Sequence, residues 1–213
     1  LNVGGATGGQ DDRLMQAIYD RRTTDHPRIP GSTGNSAPFS ALAQLLHWTV
    51  VALILVQVAL INYADSLPLG MAKLAAIARH KSVGITILVL ALIRVVWRWT
   101  NQTPALPTTM PSWQRRLARS SHALLYGCLF ALPLTGWMMS SAKNYSVSWF
   151  NLVQLPNLVA PDESTYDFMR DAHELLVWVL AATALVHVAG ALKHHWIDRD
   201  DILRRMLPGK TKP

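Results

Sequence analysis

The sequence predicts an all-α integral membrane protein, a bundle of four spanning helices, and three observations point there. Half of the 213 residues are hydrophobic and only 15% are charged, where soluble domains carry about 25%. Four apolar stretches reach the roughly 20 residues that a helix needs to cross a bilayer. The basic residues, which set a formal net charge of +7, gather at the ends of those stretches. A basic chain can also signal nucleic-acid binding, but charge placed this way reads as membrane topology.

Residues 1–38 form an N-terminal extension rich in Gly, Asp, Arg and Pro. It shows no apolar core of a secretory leader, although the chain opens on Leu1 rather than Met. One amphipathic turn, DDRLMQAIYDRR, stands out, and His26 reads as a solvent-exposed tail residue. The transmembrane domain covers residues 39–196. Its first span is expected over residues 39–63 (TVVALILVQVALI) and its second over 80–99 (VGITILVLALI). The third is expected over 117–139 (ALLYGCLFALPLTGWMM) and the fourth over 172–194 (LLVWVLAATALVHVAGAL). Pro133 lacks an amide and should kink the third helix, which membrane helices tolerate when neighbours satisfy the freed carbonyl. Residues 145–159 (YSVSWFNLVQLPNLV) are apolar but too short to span, and are read as lying on the outer membrane surface over one end of the bundle. Residues 197–213 form a tail. The competing reading is four buried helices of a large soluble protein, and nothing else in the chain would cover them.

Charge sets the expected orientation. Arg13, Arg21, Arg22 and Arg28 precede the first span. Arg94, Arg98, Arg115, Arg116 and Arg119 surround the second connection. Lys193, Arg199, Arg204, Arg205, Lys210 and Lys212 follow the last span. Fifteen of the 20 basic residues therefore share one side, and the positive-inside rule makes both termini cytoplasmic. For a bacterial chain this makes the setting the cytoplasmic (inner) membrane, with membrane lipid as the surrounding partner and no role for nucleic acid. Cys128 stands alone, so no intrachain disulfide forms, and without a CxxCH motif a c-type haem is excluded.

Seven histidines fall in or beside the spans, where ionisable groups are costly and mark pathways or cofactors. His173 and His187 are fourteen residues apart. At 1.5 Å per residue that is roughly 21 Å, and the two return to within about 40° of one face. Depth along each helix then pairs His47 with His187 near the cytoplasmic side and His80 with His173 near the outer side. Two imidazoles on one iron make a six-coordinate haem that changes redox state without binding substrate at the metal, and bundles build such sites from facing helices. The reading is two haem b groups stacked across the bilayer. Gly84, Ala43 and Gly190, each within a turn of a ligand, leave room for a macrocycle. Zinc would favour tetrahedral sites with Cys, Asp or Glu nearby, and none accompanies these pairs inside the spans; a histidine proton relay in a transporter is a further alternative. Glu174, beside His173, points about 100° away and serves at most to orient that ligand. His122 reads as structural or propionate-facing. His194, on the His187 face and about 10 Å nearer the cytoplasm, is the candidate for a quinone carbonyl, with His195 as an end residue.

With these positions in hand, the chain resembles the bacterial cytochrome b561 family of four-helix di-haem proteins. The matching segments are LLHW, RHKSVGITILVLALIRVVWR, SSHALLYGCLFALPLTGW, DAHELLVWVLAATALVHVAGALKHH and DILRRMLPGK, covering roughly residues 39–210. The resemblance implies electron exchange with ubiquinone. One branch comprises superoxide oxidases, which oxidise superoxide at the outer surface and reduce ubiquinone. Others anchor a dehydrogenase or hydrogenase to the quinone pool, the hydrogenase type with a further span. Lys73, Arg79 and Lys81 around His80 would attract a small anion such as superoxide, or else pair with propionates and lipid headgroups. Asp162, Glu163, Asp167, Asp171 and Glu174 would instead suit a basic periplasmic donor. The alternative function is an electron-transfer subunit of a larger respiratory complex, docked partly through residues 1–38.

Overall fold

The computed structural model describes residues 39–101 and 110–207. The extension, its amphipathic turn and His26 lie outside the described residues, as does the end of the tail. Four long helices dominate: α1 (Ala41–Ser66), α2 (Met71–Thr100), α3 (Ser112–Ala142) and α4 (Glu163–Trp196). All four are long and apolar enough to cross a membrane. Their outward faces carry large apolar side chains, among them Leu55, Leu92, Trp178 and Leu185. Such residues face solvent at a cost in water and face lipid at none.

Each helix runs beyond its apolar stretch. α2 begins nine residues before His80, through the sequence MAKLAAIAR, and α4 begins at Glu163 rather than near residue 172. Hydropathy marks only the part within lipid. The backbone goes on bonding to itself wherever good helix formers continue. The end of α4 is set chemically: Asp162 caps it, its carboxylate accepting from the Thr165 amide at 2.7 Å. Ser40 caps α1 by accepting from the Ala43 amide.

α1 packs on α2 and α3 packs on α4, with α2 and α3 joining the two pairs. A buried cluster of Val50, Val83, Ile87, Ala91 and Leu129 ties α1, α2 and α3 together. On α2 these residues fall between His80 and Arg94, so the apolar core separates two polar levels.

The apolar loop contains a hairpin that composition alone does not reveal. β1 (Val147–Trp149) pairs antiparallel with β2 (Val153–Leu155). Phe150 and Asn151 in its turn both take positive φ. The hairpin is bolted to α2: Ser82 Oγ donates to the Ser148 carbonyl and accepts from the Phe150 amide, both at 3.0 Å, and Trp149 Nε1 donates to Thr86 Oγ1 at 3.0 Å. At the other end the tail folds back over α1. Gln44 Nε2 donates to the Arg205 carbonyl at 2.9 Å, and Trp48 Nε1 to the Met206 carbonyl at 2.7 Å.

Candidate functional site

The histidines collect at two levels. At the end closed by the tail, His47 on α1 and His187 on α4 face each other with ring centroids 6.4 Å apart and planes 71° apart. His122 on α3 lies 5.1 Å from His187. Arg94 on α2 donates from Nη1 to His47 Nδ1 at 3.0 Å. The same guanidinium stands 5.5 Å from the Tyr126 ring centre.

At the hairpin end, His80 sits nine residues into α2 and His173 ten residues into α4. They are close enough to interact electrostatically. His173 is held tightly. Thr135 Oγ1 lies 3.1 Å from His173 Nδ1, and the same hydroxyl is within reach of the Ala131 and Leu132 carbonyls at 2.9 and 3.0 Å. A hydroxyl has one proton to give. Donating it to a carbonyl leaves a lone pair for His173 Nδ1–H, and that tautomer frees Nε2. Gly136 makes this approach possible, since a Cβ there would stand 3.3 Å from His173 Cε1. His80 Nδ1 is buried without a hydrogen-bond partner among the described residues. That nitrogen is left for a further partner.

Lys73, Arg79 and Lys81 share α2 but not a face. Two residues of helix turn about 200°, which sets Arg79 and Lys81 nearly opposite. Lys81 is half-buried and lies 5.7 Å from the Tyr145 ring centre, beside the hairpin. Lys73 is half-buried and Arg79 exposed. The acidic segment is largely paired within itself: Lys143 meets Glu163 at 2.6 Å, and Arg170 meets Asp167 at 2.9 Å and Asp171 at 3.0 Å. The Glu163 carboxylate accepts from the Lys143 ammonium and pushes its pKa up.

His194 is locked at the tail end. Its Nδ1 lies 2.8 Å from an Asp200 oxygen and 3.0 Å from an Asp198 oxygen, and Lys193 bonds Asp198 at 2.6 Å. Hydrogen bonding to Lys193 holds the Asp198 carboxyl below its usual range. These bonds fix the ring through Nδ1. The residues that composition and spacing did not single out are Thr135, Gly136, Tyr126 and the two aspartates. Thr135 and Gly136 are ordinary small residues of a membrane helix until the fold sets them against His173.

Residues 38–209 match the family model of prokaryotic cytochrome b561. The chain is 38% identical over 133 residues to cytochrome b561 homolog 2 of Escherichia coli K12, covering 62% of this chain and 70% of that protein. It is 28% identical over 173 residues to cytochrome b561 homolog 1 of the same organism, covering 80% and 97%. It is also 27% identical over 172 residues to the probable superoxide oxidase CybB of Yersinia pestis, covering 81% and 97%. The chain therefore belongs to the prokaryotic cytochrome b561 family of membrane electron-transfer proteins, whose prosthetic group is b-type haem.

Proposed function

We propose that the chain holds two b-type haems, one between His47 and His187 and one between His80 and His173, and carries electrons across the bilayer from an outer donor to ubiquinone. The observation that carries this reading is the separation of the first pair. A metal–imidazole bond is about 2.0 Å and the ring centre lies roughly 1.1 Å further, so two rings on opposite sides of one metal have centroids about 6.2 Å apart. His47 and His187 stand at 6.4 Å. His122, at 5.1 Å from His187, is too near to be the opposite ligand. At the second level, the unpaired His80 nitrogen and the freed Nε2 of His173 suit the same donor set. A b-type haem held by these histidines would supply one-electron redox chemistry.

The remaining residues divide the other tasks. The basic residues around the chain ends support cytoplasmic termini in a bacterial inner membrane, with the hairpin on the outer side. Superoxide is the donor that the residues favour. Lys81, with Lys73 about 12 Å back along α2 and Arg79 adding to the local positive charge, draws a small anion toward His80. Lys143 and Arg170 offset part of the acidic segment's charge, which reduces its pull on a basic partner protein. Two superoxide anions each lose one electron and leave as dioxygen. One ubiquinone takes both electrons and two protons to become ubiquinol. His194, oriented by Asp198 and Asp200, presents its other nitrogen for a quinone oxygen and the proton it gains. The name of the Yersinia pestis relative points the same way. Docking into a respiratory complex through residues 1–38 concerns residues outside those described.

Proteoliposomes loaded with ubiquinone and supplied with external superoxide test this. Ubiquinol should form at one per two superoxide consumed. Lys81→Glu should slow it roughly tenfold at low salt, with the difference shrinking as salt screens the charge. A fully haem-loaded protein that forms no ubiquinol would remove superoxide as the donor.

A further inference from the structure

Arg94 is a cation at membrane depth without a counter-charge. It lies within α2, half-buried, and no ion pair among the described residues reaches it. Its partners are the neutral His47 ring and Tyr126. Arg98 follows four residues later, one turn along the same face, and its charge is felt at both Arg94 and His122. Two guanidiniums and three imidazoles thus gather at one level of the bundle, and among the described residues no carboxylate pairs with Arg94 or Arg98. Leaving a charge unpaired away from water is costly, so the arrangement calls for an anionic group from elsewhere.

We propose that Arg94, seconded by Arg98, receives the propionate carboxylates of the haem held between His47 and His187, fixing the ring's orientation and raising its reduction potential. The proposal rests on the two-haem reading above. Haem b brings two carboxylates, and this end offers two guanidiniums at one-turn spacing. A carboxylate is a far better acceptor for a guanidinium than a neutral imidazole, because the bond becomes charge-assisted and bidentate. It therefore draws Arg94 away from His47 Nδ1. That release frees His47 to carry its proton on Nδ1 and present Nε2, the form a ligating imidazole requires. Arg94 is in this sense a positioning residue for His47 as well as an anion clamp. At the hairpin end the nearest half-buried cation, Lys81, lies against Tyr145 instead.

Purified holoprotein variants test this by resonance Raman and potentiometric titration. In Arg94→Gln the propionate-bending band should shift, and the midpoint of one haem should fall by about a tenfold change in its reduction equilibrium, 59 mV for one electron. The other haem should not move. Arg94→Lys should keep the potential through its charge while still shifting the band, because it lacks the fork. If Arg94→Gln retains too little haem to titrate, Arg94→Lys alone decides: an unshifted band overturns the proposal. Unchanged band and potential in both variants overturn it too, and would mean that the arginines serve lipid phosphate instead. The haem count separates the two levels of inference. A wild type with other than two haems sinks the function reading, whereas two haems with an indifferent Arg94 sink only this one.

Discussion

The two histidine levels are built differently. At the hairpin end, His173 is clasped by Thr135 and Gly136, and the rigid hairpin is pinned to α2 through Ser82 and Thr86. At the tail end, His47 and His187 are joined by His122 and Arg94, and the tail closes over them by bonds to Gln44 and Trp48. One level is organised by short neutral hydrogen bonds that fix a tautomer. The other is organised by excess positive charge that a carboxylate would complete. A single bundle can thus hold paired histidines in unlike electrostatic surroundings at its two ends.

The largest expected effect comes from removing a ligand. His187→Ala should lose the tail-end haem and keep the other, and His173→Ala should do the reverse; a pyridine haemochrome assay on each should read half the wild-type content. Retention of both haems in either variant would break the comparison at once. Next, Thr135→Val removes the hydroxyl that orients His173 and should weaken haem retention at that end alone by about 10- to 100-fold, as loss of such supporting partners commonly does. Thr135→Ser should restore it. Equal losses at both ends would point to general misfolding.

The smallest effect is on pH. Hydrogen bonds from Thr165 and Ser164 hold the Asp162 carboxyl down to about 2 from its usual 3.8. A depressed folded-state value means that the cap stabilises the start of α4 above the ordinary carboxylate range. That contribution is lost as the pH falls from there through about 2. Hydrogen exchange at the Thr165 and Tyr166 amides should rise over that window, and Asp162→Asn should abolish the pH dependence. At the tail end Asp198, likewise held down by Lys193, should release its partners as the pH falls below the ordinary carboxylate range.

The four spans were legible in the sequence because lipid demands long apolar runs, and the histidines because so few polar residues lie at that depth. Their extents were not. Segments such as MAKLAAIAR and ESTYDFMRD are too polar to register as spans, yet are good helix. The hairpin was hidden because residues 145–159 read as one apolar run, and its turn at Phe150 and Asn151 carries no glycine. Arg94 was visible only as part of a charge count. Its meaning depends on α1, α3 and α4 bringing His47, His122 and His187 around it, a long-range juxtaposition that spacing along α2 does not encode. The aspartates beside His194 were hidden for the same reason: Asp200 reaches it only because the chain turns back after Trp196.

The most direct test of two haems each gripped by paired imidazoles is electron paramagnetic resonance of the oxidised protein, with the haem-to-protein ratio measured on the same sample. The account predicts two low-spin ferric signals at two haems per chain. The 71° between the His47 and His187 planes makes at least one of those signals strongly anisotropic. A high-spin signal, or a single haem per chain, would contradict it.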